Sequence, residues 1–483
     1  MRKLSFLFLC TVFCLSLSAH SGKASYHVII DTDGAADDFR AICMLLSNSE
    51  VEVLAITTSE GALMPAGAAQ KVSSLLHHFH HEGIPVGVGR NLNITPPQWR
   101  KQSEQIAWGA TEGIAAPSLP AKDLIIETLE DEDEKVVVIC LGTLTNLNDA
   151  LEANPGLKGD IDRVLWYNSH TESYTGSNHK ADSQSVENIL KSGIKVEIVS
   201  GGQMNIPVDN SYLEMMAQIN NPYAGYIADV HQQTILKPVV ASAHMKTWDD
   251  LVVVYLYTPE IFTTESIRPA VTLHKLREDA LVKAKESIVS ILTGKPDSEN
   301  RVFYIFPQEP SLYAADVAPF IKEIVEKHGH KEWRAGVLTN ELHGHLGIYA
   351  IIGVKMGIRA REYYNIGVDD IRIVSFAGSV PPISCMNEGL QVSTGGTLGH
   401  GLITVATDEA VRPEATFTFK NKGIRMKLKP QYAAQIGNDV REGIRLHGNL
   451  TEAYWKHIRQ LAIKYWLEFD RYETFELTPI VND

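Results

Sequence analysis

Eight residues near the start of the chain, Asp31-Thr32-Asp33-Gly34-Ala35-Ala36-Asp37-Asp38, carry four carboxylates directly after an apolar run. Like charges crowded at a strand end repel. A bound hard cation relieves that repulsion, and carboxylate oxygens are its natural ligands. Gly34, Ala35 and Ala36 leave room for a tight turn into a helix whose first residues would be Asp37 and Asp38. Helix capping accounts for those two acids. It does not account for Asp31 and Asp33, which points to metal or substrate binding. In the last third, Glu341-Leu342-His343-Gly344-His345-Leu346-Gly347 and Cys385-Met386-Asn387-Glu388 offer a softer donor set, followed by the Gly-rich Thr394–Gly401. His343, His345 and Cys385 suit zinc or another transition metal, with Glu388 or water as a fourth ligand. An extended backbone through Gly344 would turn both imidazoles to one face. The alternative is a Gly-rich scaffold with incidental histidines. His77 and His81 share a helix face at i, i+4 and could bind a metal, but the run His77, His78, His80 and His81 before Gly83 and Pro85 reads as a solvated helix end, favoured by the helix dipole. His231 and His244 precede a late acidic pair, Asp249-Asp250, within reach of a pocket.

These residues need a frame. Apolar runs at Tyr26–Ile30, Val51–Thr57, Pro85–Val88, Val136–Leu141, Val164–Tyr167 and Lys195–Val199 read as strands. Helical patterns at Asp37–Leu46, Gly67–His81, Leu144–Ala153 and Ser185–Lys191 alternate with them. That alternation predicts an α/β fold with a mostly parallel sheet flanked by helices, and ligands beyond the carboxyl ends of the strands. The pattern weakens after about residue 295. Val317–His328 reads as a helix and Gly329–Trp333 as a linker, so the division is 25–330 and 331–483, the second part a smaller α+β domain. With 483 residues, more than one core is expected. Arg2 and Lys3, the apolar stretch Leu4–Leu17 and small residues up to Ala24 read as a signal peptide over 1–24, giving a periplasmic or secreted protein with no membrane association after cleavage. The net charge of −14 argues against nucleic-acid or anionic-membrane partners. Cys43, Cys140 and Cys385 are no disulfide framework.

The first acidic segment resembles the Asp-x-Asp-x-Gly-x-Asp-Asp signature of the inosine–uridine-preferring nucleoside hydrolase family. Gly142-Thr143-Leu144-Thr145-Asn146 and Trp248-Asp249-Asp250-Leu251, followed by Thr258-Pro259-Glu260, are similar to two further motifs of that family, in the same order. The resemblance implies calcium-dependent hydrolysis of ribonucleosides to base and ribose. Asp33 would bind calcium and activate a calcium-bound water. Asp38, Asp249 and the Leu141 carbonyl would complete the metal set. Asp37 and Asn178 would hold the ribose, and Asp31 would support the cluster from behind. Trp248 occupies a position that is also Trp in the purine-preferring branch, where an indole can stack on a base; the alternative is a core aromatic. Departures are Ala35 for Gly, Asp250 for Pro and Gly176 for a Glu. The Gly176 departure keeps open a second reading, a nucleoside- or sugar-binding protein that retained calcium and lost catalysis. The segment Glu341–Val405 resembles the family of the E-type subunit of formylmethanofuran dehydrogenase, which implies a metal-binding, dimeric module. There Glu388 replaces Asp, and Gly347 stands where a Cys is often found. A third reading follows, a metal-handling accessory protein acting through this domain.

Overall fold

A computed structural model describes residues 24–168, 176–202, 204–294, 302–303, 305–407 and 409–480. The signal-peptide expectation for 1–24 lies outside the described residues but for Ala24. Eight strands form the first sheet: β1 (Tyr26–Thr32), β2 (Val51–Thr58), β3 (Val86–Val88), β4 (Val136–Cys140), β5 (Ile161–Tyr167), β6 (Val196–Ser200), β7 (Phe262–Arg268) and β8 (Val271–Leu276). Their order is β3-β2-β1-β4-β5-β6-β8-β7. Every pairing is parallel except β7 with β8. The α/β expectation holds. β1 and β4 sit in the middle, buried on both faces, which is why they read as unbroken runs of Val and Ile. β7 and β8 went unrecognised in the sequence. β7 is an edge strand, FTTESIR, largely exposed and polar.

The central strands end where the chemistry sits. After β1 the chain turns at Gly34, φ +84°, into the helix Ala36–Ser47. A Cβ on Gly34 would come within 2.7 Å of Leu63, so both the turn and its packing require glycine. The loop after β4 leads into the helix Thr145–Ala153. The helix Asp250–Tyr257 packs against Ala36–Ser47.

The second unit has five strands, β9 (Arg372–Ser375), β10 (Ile403–Val405), β11 (Glu414–Phe419), β12 (Lys422–Leu428) and β13 (Phe475–Ile480), in the order β10-β9-β11-β12-β13. Helices Ile321–His343, Ile348–Tyr364 and Glu452–Glu468 pack with the sheet around one core, giving the α+β domain expected. Its boundary is earlier than residue 330, because Val317, Ile321 and Ile324 already belong to that core. The expected linker Gly329–Trp333 is a kink inside the helix Ile321–His343, made by Gly329 at φ +84°. The glycines of this unit serve close helix crossing. A Cβ on Gly353 would meet the Met386 carbonyl at 2.1 Å, and one on Gly389 the Ala350 carbonyl at 2.2 Å. That lets Ile348–Tyr364 and Met386–Thr394 touch backbone to backbone.

His77 and His78 are exposed at the end of their helix, as expected of a solvated helix end, whereas His80 and His81 join the two units against that expectation. The helix Pro65–His78 stops short of His81. His81 Nδ1 donates to the Glu362 carbonyl at 2.6 Å, and its Nε2 meets the Tyr223 hydroxyl. His80 stacks on Tyr472 at 3.5 Å. Arg359 grips both oxygens of Glu82 at 2.9 and 3.0 Å, and Asn365 Nδ2 donates to the Leu46 carbonyl at 3.0 Å. On another part of the seam, Lys420 reaches Glu52 and Glu132, with His27 Nδ1 3.1 Å from Glu132. Among the described residues, no helix is long and apolar enough to cross a membrane.

Burial pushes His81 down to about 4 from its ordinary 6.5. A histidine depressed on folding contributes stability that is intact above pH 6.5 and lost as pH falls from 6.5 toward 4, because the unfolded chain binds the proton first. We predict a loss of about 3 kcal/mol from this group across that window. Urea midpoints measured from pH 7 to 4 should fall less steeply for His81→Asn than for the parent chain.

Candidate active site

Asp38 is the fixed point of the acidic cluster. Its Oδ2 accepts from Thr32 Oγ1 at 2.5 Å, Asp33 N at 2.9 Å and Gly34 N at 3.2 Å. Three donors on one oxygen lock the carboxylate at the helix start. Asp37, Asp38 and Asp249 then offer oxygens within 4.8 Å of one another. Asp33 reaches the same cavity from the end of β1, and the Leu141 backbone comes from the end of β4. Two glycines frame Asp33. A Cβ on Gly61 would fall 2.1 Å from its Oδ2, and one on Gly142 3.0 Å from its Cβ.

Asp31 does something different. Its Oδ2 accepts from Thr57 Oγ1 and Asn146 Nδ2, both at 2.6 Å, and Asn146 also donates to the Thr58 carbonyl. Burial raises its carboxyl to about 6. Asn146, the last residue of the second motif, thus ties β1, β2 and the Thr145 helix together beneath the cluster.

The electrostatics ask for a cation. Burial first, then the charge of neighbouring aspartates, pushes Asp33 and Asp249 well above the carboxylate range, and the same causes raise Asp37. The buried oxygens Asp33 Oδ1 and Asp249 Oδ1 have no hydrogen-bond partner. Buried carboxylate oxygens without partners are the kind of donor a hard divalent ion takes, although the group within 4.8 Å is Asp37, Asp38 and Asp249 and leaves Asp33 outside it.

Above this floor lies a cavity of about 480 Å³, lined by Trp99, Tyr167, Asn178, His244 and Trp248 among others. Its volume suits a small-molecule ligand. Asn178 is buried, and its Nδ2 donates to the Leu141 carbonyl at 2.7 Å and the Tyr167 carbonyl at 3.3 Å. Trp248 combines both readings of the sequence, since it packs on the core and also lines the cavity.

The residues the sequence did not single out stand behind the acids. Arg40, wholly buried in the Ala36 helix, makes a two-pronged pair with Asp250, Nε to Oδ1 at 2.9 Å and Nη2 to Oδ2 at 2.8 Å. Arg40 also donates to the Lys246 carbonyl at 2.7 Å. His231 does not reach the pocket. It donates from Nδ1 to the Ile227 carbonyl and turns Nε2 to Arg40 at 3.2 Å. The signal was an arginine inside an apolar helical run, FRAICMLL, and an Asp where a Pro is usual.

The second candidate site is only partly assembled. His343 closes its helix and Gly344 follows at φ +80°, so the backbone is not extended as expected. The rings of His343 and His345 nevertheless meet at 4.1 Å, and His343 Nδ1 lies 2.6 Å from Glu388 Oε2. Among the described residues, no group of three potential ligands within 4.8 Å includes Cys385, His343, His345 or Glu388, in contrast to the expected His343, His345 and Cys385 set.

The mostly parallel sheet brings Asp33, Asp37 and Asp38 to the carboxyl end of a central strand, and Asp249 joins them from the start of the helix Asp250–Tyr257. Residues 28–300, more than half of the chain, match the model of the inosine-uridine preferring nucleoside hydrolase family, and the chain belongs to that family of N-glycosyl hydrolases. Residues 342–476 match the FmdE family, described by the molybdenum formylmethanofuran dehydrogenase operon. Pyrimidine-specific ribonucleoside hydrolase RihA of Klebsiella pneumoniae is 25% identical over 268 residues, covering 49% of this chain and 81% of the relative. RihA of Escherichia coli is 26% identical over 263 residues, with the same coverage. A nucleoside hydrolase structure from Bacillus anthracis covers 56% of this chain and 99% of its own, at 18% identity and a TM-score of 0.45. A purine-preferring ribonucleoside hydrolase from Gardnerella vaginalis covers 55% and 99%, at 17% and 0.46.

Two substitutions test this construction. Arg40→Met leaves Asp250 charged, buried and unpaired, and should cost about 3–5 kcal/mol. Much of that loss should return in the Arg40→Met/Asp250→Leu double variant, measured by denaturant unfolding. Gly61→Ala displaces the Asp33 carboxylate, so substrate turnover should fall by about 100-fold while the melting temperature moves by only a few degrees.

Proposed function

We propose that the chain is a calcium-dependent ribonucleoside hydrolase that splits the N-glycosidic bond to free base and ribose. The observation that carries this reading is the convergence of Asp33, Asp37, Asp38 and Asp249 on the floor of one cavity, with buried carboxylate oxygens left unpartnered. Asp33, Asp38, Asp249 and the Leu141 carbonyl would hold calcium. When bound, calcium neutralises the cluster and makes a water more acidic.

The reading assigns the chain's own groups as follows. Asp33 accepts the proton of the attacking water at its carboxylate. Asp37 holds the ribose hydroxyls, and Asn178, at the cavity wall, adds a polar contact to the sugar. As the bond breaks, positive charge grows on the ribose ring, and the fixed carboxylates beneath stabilise it. Trp248 offers a flat apolar face to the nucleobase. The RihA relatives are named pyrimidine-specific, while the Trp248 indole favours the larger purine stack; a panel of both substrate kinds decides the preference.

Asp33→Asn should lower base release by about 1,000-fold or more with an unchanged unfolding profile. Chelation of the parent protein should abolish release, and calcium should restore it and raise the melting temperature. Release that is insensitive to both changes would refute the reading.

We also propose export through residues 1–24, which N-terminal sequencing of the mature protein would test. His343, His345 and Glu388 would hold a transition metal in the second unit. Elemental analysis of wild type against a His343→Ala/His345→Ala variant tests this independently of nucleoside turnover.

A further inference from the structure

We propose that Arg100 is a positioning residue for Asp33, orienting its carboxylate through the peptide that joins Gly61 to Ala62; the assignment rests on the hydrolase reading above. A carboxylate turns easily about its last torsion, which has broad rather than sharp minima. On that reading Asp33 faces a cation with one oxygen and an attacking water with the other, so a group outside its own side chain must set the angle. Its Oδ1 is buried without a hydrogen-bond partner. The restraint comes from the loop that follows β2.

In that loop Gly61 lies so close to Asp33 that a Cβ on it would fall 2.1 Å from Oδ2. Gly61 N donates to the Leu63 carbonyl at 3.1 Å and Leu63 N to the Asp33 carbonyl at 2.9 Å, which ties the loop to the Asp33 backbone. The Gly61–Ala62 peptide is trans, so its C=O and N–H point in opposite directions. The Ala62 N–H faces the Asp33 carboxylate as a hydrogen-bond donor. At the other end, the Gly61 carbonyl accepts from Arg100 twice, from Nη2 at 2.7 Å and from Nε at 3.1 Å. Two donors on one carbonyl fix the plane of the peptide, and a cation there polarises it so that its N–H donates more strongly. The guanidinium thus reaches Asp33 through a single peptide group without touching the cavity's contents.

Arg100 is itself held in place. It is buried, its Nη2 pairs with Glu60 Oε1 at 3.2 Å, and its Nη1 lies 3.3 Å from Met64 Sδ. Glu60, also buried, accepts with its other oxygen from Leu92 N at 2.6 Å and Asn93 N at 2.8 Å. Trp99 and the short helix Arg100–Gln105 present Trp99, Gln102 and Ser103 to the cavity. One buried ion pair therefore sets both a wall of the cavity and the carboxylate at its floor. The two effects separate in experiment. A role in the wall alone acts on substrate binding, whereas a role toward Asp33 acts on turnover and on the cation.

The test uses full-length protein, the nucleoside that the wild type cleaves best, and calcium alone in a calorimetric titration. Arg100→Met/Glu60→Gln removes the ion pair without stranding a buried charge. At saturating calcium it should lower kcat by about 100-fold, with KM within about threefold of wild type. Arg100→Lys, which keeps one charged donor for the Gly61 carbonyl, should lose about tenfold in kcat, and it carries the test if the double variant does not fold. Calcium affinity should weaken by about tenfold in the double variant. The same changes made in Asp33→Asn should alter calcium affinity by less than about twofold, because no carboxylate is left to misplace. An unchanged kcat, a loss confined to KM, or an equal loss of calcium affinity in the Asp33→Asn background would each overturn the assignment and leave the hydrolase reading standing. Wild-type protein that releases no base from any nucleoside would instead overturn the hydrolase reading, and this assignment with it.

Discussion

Four aspartates gathered on one side of a buried site repel one another, and the fold must hold them there before any cation arrives. The Arg40–Asp250 pair is the restraint that does so. Arg40 lies one turn into the helix that begins with Asp37 and Asp38, and Asp250 immediately follows Asp249. Two parallel hydrogen bonds between fully buried partners fix one helix against the other in rotation as well as distance. The cluster therefore inherits its geometry from a pair that never touches the cavity. Burying a pair of charges costs desolvation energy, which the carbonyl of Lys246 and the ring of His231 partly offset by occupying the remaining guanidinium hydrogens.

Much of the first unit was legible in the sequence because its strands are short apolar runs and its acids follow them directly. The six expected strands and four expected helices fall on observed elements, and Asp33, Asp37, Asp38 and Asp249 line one cavity as the motif order implied. What was hidden depends on contacts across long stretches of chain. Arg40 in its apolar run and Asp250 in place of a Pro each stand out locally, but they are 210 residues apart and neither pattern names the other as its partner. Nothing in the sequence sets Gly61 against the Asp33 carboxylate. β7 lacks an apolar alternation because one of its edges faces solvent.

His80 and His81 show the opposite failure. They continue the composition of the wet helix end that His77 and His78 do form, and composition carries no record of another domain arriving to cover them. The same is true of Gly353 and Gly389. At both positions another helix occupies the space that a side chain would take.

The helix Ala36–Ser47 has one end in each half of the molecule's business. Asp37 and Asp38 begin it at the cavity, and the carbonyl of Leu46 near its far end accepts from Asn365 of the second unit. An α-helix of 12 residues is stiff and about 18 Å long. Through a rod of that length, a small tilt imposed at the Leu46 end is delivered to the carboxylates as a displacement of similar size. The fused unit is thus attached to the handle of the lever whose tip carries Asp37 and Asp38, so a lineage that loses or exchanges that unit alters the footing of the site without changing any residue within it.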